Sequence, residues 1–309
     1  MRNAFVNALI ELAEEDEKLV LLMAEVGYGV VEPFQERFPE RFFNTGISEQ
    51  SLVLTAAGMA LRGYHPIAYS MSAFLATRAF EMIKNSVCYQ NLPVTLVSIG
   101  TGLSYGELGS THHGLEDEAL MTVLPNMTVM FPGDAAECRS AIRYAVKSGK
   151  PAYIGLEKVN VKDYGNEIAE NPIKWRKLRA GKDGAIIACG TLRKEAMEAA
   201  ELLSAKGINV SVYGVNIVKP MDCEAIDDAC VTSNLFVLDE HYSKGNLAGE
   251  IAKYILEEKK DVSSFTDCSV PDAYPDYIYN YGDLKKWAGL TVSNLMSIIE
   301  DKIRNNDSV

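Results

Sequence analysis

Short apolar runs rich in β-branched residues recur along this chain and alternate with segments of helical period. That alternation constrains the fold more than any other feature. Residues 19–23, 65–69, 93–99, 127–131 and 152–156 read as strands, and 4–14, 51–61, 73–89 and 135–147 as helices. Strands that are apolar on both faces belong inside a sheet covered on both sides, and a helix between successive strands gives parallel βαβ crossovers. From 158 to 184 the pattern lapses, and Asn160, Lys162, Asp163, Gly165, Asn166, Glu170, Asn171 and Pro172 mark a connecting segment. A second, shorter series follows, with strands at 184–189, 209–215, 235–239 and 265–269 and helices at 194–206, 247–258 and 289–304. The expected fold class is α/β, as two doubly wound domains at 1–162 and 183–309 joined by a linker at 163–182.

With 309 residues, 48% hydrophobic and 23% charged, the chain is of globular composition and long enough for two cores. Its net charge of −12 speaks against nucleic acid, which requires clustered Lys and Arg. No run approaches the ~18 apolar residues of a membrane span, and the acidic N-terminal region does not resemble a signal peptide. Six dispersed cysteines without a CxxC pair read as reduced thiols, so a cytoplasmic location is expected.

Neither half holds a GxGxxG or GxxxxGK[ST] phosphate cradle or an HExxH metal pair, and no metal site is expected within the chain. Two other features point to a site. Gly46-Ile47-Ser48-Glu49-Gln50 joins a short extended run to an apolar helix, which puts Glu49 in a first helical turn. Such an acid is commonplace, but strand-to-helix turns are also where α/β folds build their clefts. Residues 100–116 form a loop with five glycines and the adjacent pair His112-His113. Loops of this length in compact domains are usually functional, and this one follows a strand end, as Glu49 does.

Gly46-Ile47-Ser48-Glu49-Gln50, Tyr89-Gln90-Asn91-Leu92-Pro93-Val94, Gly109-Ser110-Thr111-His112-His113 with Glu116-Asp117, and Leu124-Pro125-Asn126-Met127-Thr128-Val129 occur in that order. With Arg2-x-Ala4-x-x-Asn7-Ala8 at the start and Asp239-Glu240-His241 followed by Gly245-Asn246-Leu247-Ala248 in the second unit, the series resembles the C-terminal half of transketolase. The resemblance covers essentially the whole chain. It implies a pyrimidine-binding domain at 1–162 and a transketolase C-terminal domain at 183–309. The family's diphosphate motif, Gly-Asp-Gly with a later Asn, has no match, since Gly133-Asp134-Ala135 and Gly282-Asp283-Leu284 lack its remaining parts. The implied protein is therefore one subunit of a split enzyme. A partner, the N-terminal diphosphate-binding subunit, would hold the diphosphate and Mg2+ or Ca2+, in an α2β2 heterotetramer acting on small sugar substrates.

The resemblance also implies roles. Glu49 corresponds to the carboxyl group that hydrogen-bonds the pyrimidine of thiamine diphosphate and favours its imino tautomer. Glu25, Val26, Phe74, Phe80 and Arg78 fall at cofactor positions. Arg78 departs from the further aromatic residue usual in transketolases. His112 corresponds to the substrate-facing His of the Gly-x-Thr-His motif, and His113 replaces a Gln. Arg2 matches a phosphate-contacting Arg, and Lys158 stands for a second. Gly100, Gly29 and Leu108 replace a His, a Ser and an Asp that read phosphate and hydroxyl groups, which points to an acceptor other than the usual phosphopentose. The implied activity is transfer of a two-carbon ketol unit from a ketose to an aldehyde. A pyruvate-decarboxylating synthase of the deoxyxylulose-phosphate-synthase type shares Glu49 and the His loop. The β subunit of a 2-oxo acid dehydrogenase's decarboxylating component also lacks the diphosphate motif. A non-catalytic partner keeping the fold is the reading from outside enzymology.

Overall fold

The computed structural model describes residues 1–26, 29–159, 161 and 173–306. The strands are β1 (Leu19–Met23), β2 (Phe42–Asn44), β3 (His65–Met71), β4 (Thr95–Ile99), β5 (Thr128–Met130), β6 (Ala152–Leu156), β7 (Arg176–Arg179), β8 (Gly184–Cys189), β9 (Val210–Val215), β10 (Ile217–Lys219), β11 (Asn234–Tyr242) and β12 (Ser264–Val270). They form a seven-stranded sheet, β10-β5-β6-β4-β3-β1-β2, and a five-stranded sheet, β12-β11-β8-β9-β7. All neighbours run parallel except the edge pairs β10–β5 and β7–β9. The apolar runs explain the interior: every residue of β1, β4, β6, β8 and β9 is buried, as parallel strands covered on both faces must be.

The helices of the first half are α1 (Arg2–Glu15), α2 (Glu32–Arg37), α3 (Glu49–Leu61), α4 (Ser72–Arg78), α5 (Phe80–Met82), α6 (Asp117–Thr122) and α7 (Ala135–Ser148). The second half adds α8 (Arg193–Ser204), α9 (Cys223–Cys230), α10 (Leu247–Glu257), α11 (Tyr281–Trp287) and α12 (Val292–Asn306). Local chemistry sets their starts. Asp134 accepts a hydrogen bond from Glu137 N at 2.8 Å, and Asn246 accepts one from Gly249 N at 3.3 Å, each filling an orphan donor of the first turn. At the other end, Gly149 stops α7 in the left-handed region. No described helix is long and apolar enough to cross a membrane.

Of the differences from the sequence expectation, three bear on the sheets and the site. The helix expected across 73–89 is broken. Ala79 leaves helical geometry (φ −100°, ψ 12°) after α4, and Ile83–Cys88 closes as a π-helical turn. The expected linker lies outside the described residues through 172, but its last part carries β7, which pairs antiparallel with β9. Third, β10 comes from the second half yet completes the first sheet, Ile217 facing Met130 and Lys219 facing Val129. A three-residue strand ended by Pro220 gives too little period to read.

Buried ion pairs reinforce the junction of the halves. Arg193 at the start of α8 is fully buried and grips Glu137 with both terminal guanidinium nitrogens, at 2.7 and 2.5 Å. Asp134 lies 3.6 Å from Arg193 and 3.2 Å from Arg176. Two carboxylates of α7 and its cap thus meet two arginines of the second half, which is how buried charge is tolerated.

Candidate active site

The C-terminal ends of β1 to β4 lie on one edge of the first sheet. The chain order reverses between β1 and β3, the position where open α/β sheets place a crevice. After β2, Thr45 Oγ1 bonds Met23 O at 3.1 Å, Asn44 Nδ2 bonds Glu25 Oε2 at 2.7 Å, and Gly46 N returns to Asn44 Oδ1 at 2.9 Å. The turn is thereby tied to the end of β1. Ser48 caps α3, accepting a hydrogen bond from Ser51 N, and this places Glu49 at the first helical position.

Glu49 is only 2% exposed. Its Oε2 accepts a hydrogen bond from Arg78 Nη1 at 2.5 Å, and Ser70 Oγ lies 3.5 Å from Oε1. The break at Ala79 leaves Phe74 and Arg78 one turn apart on α4, hence on one face. The Arg78 guanidinium lies 4.6 Å over the Phe74 ring, and the His112 ring meets Phe74 edge-on at 5.2 Å. Glu49, Arg78, Phe74 and His112 therefore form one continuous group built from three segments. Thr111 Oγ1 lies 2.9 Å from His112 Nδ1. A hydroxyl proton given to Nδ1 leaves Nε2–H as a donor.

Other expected residues fall elsewhere. His113 turns inward, 2% exposed, and its Nε2 donates to Gly106 O at 3.1 Å, which braces the loop. Burial holds its pKa below the ordinary 6.5. Phe80, beyond the break, packs against the main core. Glu25 sits at φ 45°, a conformation uncommon for a non-glycine residue and enriched at functional sites, and Val26 beside it is half-buried. Arg2 and Lys158 share a cavity of about 280 Å³ with Met1, Asn3, Glu157 and Val159.

Tyr105 has no sequence signal but lines a neighbouring cavity that shares Lys158 with that one. Its ring lies under Lys158 Nζ at 5.0 Å, and Arg2 opposes the upward push of burial on its phenol. It fills the space above Gly100, whose φ is +88° and where an added Cβ would stand 1.9 Å from the ring.

A second group missed at the sequence level lies beneath the site. Asp117 Oδ2 accepts hydrogen bonds from Ser72 Oγ (2.5 Å), Thr101 Oγ1 (2.8 Å) and Tyr153 OH (2.6 Å), while Oδ1 lies 3.0 Å from His241 Nε2. His241 Nδ1 donates to Asp239 Oδ1 at 2.8 Å; Glu118 Oε2, equally near, is not aligned to accept. Burial and the charge of Asp239 push Glu118 up to about 8. Burial opposes the charge on His241, but three surrounding carboxyl groups outweigh it and hold the imidazole well above its usual range. His241 likewise overcomes the burial of Asp117 and Asp239 and keeps both below the ordinary carboxylate value. Glu118, Asp239 and His241 are close enough together to share a cation, but their charges are already matched among themselves.

These two halves define the class. Residues 1–163 match the family model described as transketolase, pyrimidine binding domain, and residues 173–295 match transketolase, C-terminal domain. The chain belongs to the transketolase family. Among its relatives, an apulose-4-phosphate transketolase subunit of Actinobacillus succinogenes is 35% identical, over 83% of this chain and 84% of that protein. The 1-deoxy-D-xylulose-5-phosphate synthase 1 of Geobacter metallireducens is 36% identical over 87% of this chain, which spans only 44% of that enzyme. A solved structure described as a split gene transketolase, inactive beta4 tetramer, superposes with a TM-score of 0.88 at 34% identity, covering 98% of both chains. Against a transketolase of Pichia stipitis the TM-score is 0.83 at 16% identity, a likeness of fold.

Proposed function

We propose that this chain is one subunit of a thiamine-diphosphate-dependent transferase that moves a two-carbon ketol unit from a ketose to an aldehyde acceptor. The observation that carries this reading is the buried Glu49 carboxylate, grouped with Phe74, Arg78 and His112 on the crevice edge of the first sheet. These side chains suit the heterocyclic half of the cofactor. A buried carboxyl group can meet a ring nitrogen, the Phe74 face and Val26 offer apolar contact, and Arg78 balances charge. When bound, thiamine diphosphate supplies the carbon nucleophile that cleavage beside a carbonyl requires.

Glu49 would hold a proton at the pyrimidine nitrogen of the bound cofactor, and its near-complete burial would keep water from competing for that hydrogen bond. Arg78 bonds the same carboxylate and covers the same Phe74 face, so it would have to move for a heterocycle to lie there. In the tautomer in which Nδ1 accepts from Thr111, His112 would offer Nε2–H to the substrate oxygen on which negative charge develops. Arg2 and Lys158, with Tyr105, form a cationic recess for the anionic end of a substrate, Lys158 acting as a point charge without the bidentate fork of Arg. In this reading Glu25 lies near the reacting centre, while Phe80 and His113 support the pocket walls from behind.

We assign the diphosphate and Mg2+ or Ca2+ to a partner subunit, in an α2β2 assembly, because the sequence lacks the Gly-Asp-Gly and Asn set. The Actinobacillus relative, itself a subunit of a transketolase, and the inactive tetramer of a homologous chain support that assignment. Residues 1–162 form the pyrimidine-binding half, and the C-terminal half begins with β7. A cytoplasmic location suits six unpaired thiols, of which all but Cys223 are buried.

The test is reconstitution with the diphosphate-binding subunit. The chain alone should bind thiamine diphosphate feebly and turn over no ketose, and the pair should do both. Glu49→Gln keeps the shape and removes the acid, so donor cleavage should drop about 10²- to 10⁴-fold. Turnover by the variant equal to the parent would refute the role. A pyruvate-decarboxylating synthase is the second reading, favoured by the synthase relative at 36% identity. Pyruvate in place of ketose, with carbon dioxide release as the readout, separates the two.

A further inference from the structure

Asp117 belongs to neither the group around Glu49 nor the recess at Arg2, yet it touches the roots of both segments that carry the site. Ser72 opens α4, two residues before Phe74, and Thr101 opens the loop that carries His112. Their hydroxyls converge on a single oxygen, Asp117 Oδ2, with Tyr153 as a third donor. The loop is closed where Gly102 and Gly114 exchange backbone hydrogen bonds at 2.7 and 3.0 Å. Gly114 in turn packs on Ser72 so tightly that an added Cβ would lie 2.6 Å from its Oγ. The root of α4, the root of the loop and Asp117 are therefore one packed unit.

The other oxygen of Asp117 faces the second half of the chain. His241 on β11 brings Nε2 within 3.0 Å of Oδ1 and 3.1 Å of Thr101 Oγ1. Its ring is fixed by Asp239 at Nδ1 and by Phe131, 4.7 Å away. Asp117 is 1% exposed and His241 4%. Burial works against the charge of this carboxylate, and the facing His241 cation opposes that effect most, ahead of the hydroxyl donors, so His241 helps keep Oδ2 a full acceptor for three hydroxyls. Loss of His241 leaves Asp117 to take up a proton or admit water, and either change releases Ser72 and Thr101.

We propose that Asp117 and His241 are positioning residues through which the second half of the chain sets the placement of His112 and Phe74. The inference rests on the functional reading above only in treating that group as the active site. It gives the C-terminal half a part in the chemistry without placing any of its atoms on the substrate.

Full-length chain labelled at histidine Cε1 provides a readout that needs neither cofactor nor partner, because only four imidazole signals arise. His241→Ala should shift and broaden the His112 signal, and His241→Gln, which keeps a donor near the Nε2 position, should restore it. Thr101→Val keeps the side-chain volume and leaves Asp117 and His241 in place, so it should move the His112 signal in a chain that still melts cooperatively, even where His241→Ala fails to fold. In the reconstituted pair, His241→Ala and Asp117→Asn should lower donor turnover about 10- to 100-fold, the scale expected of a misplaced reacting group. His241→Gln should return it to within a few-fold of the parent.

An unmoved His112 signal in Thr101→Val, or turnover unchanged in His241→Ala, would overturn the inference and leave the pair a structural joint. Failure of the thiamine reading would show instead as a parent pair without cofactor binding, and the imidazole signals would still decide the positioning claim.

Discussion

The proton on Glu118 makes the joint between the two halves sensitive to pH, with a sign and a size that follow from the structure. Burial first, and the charge of Asp239 second, raise this carboxyl from its ordinary 4.5 to about 8. Between those values the folded chain holds the proton and the unfolded chain does not, so stability falls as pH rises through the window. One proton gives a slope of about 1.4 kcal/mol per pH unit, and the whole window amounts to a cost of the order of 5 kcal/mol by pH 8. His241, also raised, acts in the same direction: its contribution is complete below 6.5 and is lost as pH rises through its folded value. Asp117 and Asp239, both lowered, contribute above 3.8 and lose that contribution in acid below the window. Glu118→Gln mimics the protonated acid and cannot ionise. The variant should match the parent near pH 5 and exceed it progressively up to pH 8. Urea midpoints for both proteins at pH 5, 6, 7 and 8, with equal m-values, measure this directly. A difference that stays flat with pH, or grows toward acid, would refute the assignment of the proton to Glu118.

Two further substitutions test the junction and the recess. Arg193→Ala leaves Glu137 and Asp134 with Arg176 as their remaining cation and removes the buried two-pronged partner of Glu137, which should cost about 3–5 kcal/mol and lower the melting temperature by roughly 6–20 °C at about 2–4 °C per kcal/mol; a calorimetric shift of a degree or less would contradict the ion-pair account. Gly100→Ala demands a left-handed alanine and drives a methyl group into Tyr105. It should destabilise the chain by about 1–3 kcal/mol and weaken inorganic phosphate binding at Arg2 and Lys158, with Tyr105→Ala added to it recovering part of the stability; titration of both variants by calorimetry checks this.

Legibility in the sequence followed burial. Strands covered on both faces, such as β1 and β6, keep their full apolar pattern and read at their true limits. β7, with the sequence Arg-Lys-Leu-Arg, lies at a sheet edge and exposes too much for its period to show. Short α6 and α9 are held by tertiary contacts and one cap, with too few residues for a helical signal. Glu49 and His112 could be named because ordered motifs mark them, and Phe74 and Arg78 because the family resemblance places cofactor positions there, although only the break at Ala79 shows why Phe74 joins the group and Phe80 does not. Asp117, Asp239 and His241 stand in motifs of the resemblance, but nothing in the sequence brings them together with Glu118 into one cluster. Acids and histidines in polar stretches look like surface until a sheet from the other half closes over them.

One consequence of β10 concerns dissection of the polypeptide. Because residues 217–219 lie along β5, residues 1–162 expressed by themselves would leave that strand's backbone donors and acceptors facing water, an invitation to pair with another copy. Anyone wanting the first half in isolation must carry those three residues along as a grafted segment, or expect clumping that says nothing about whether the isolated half can fold.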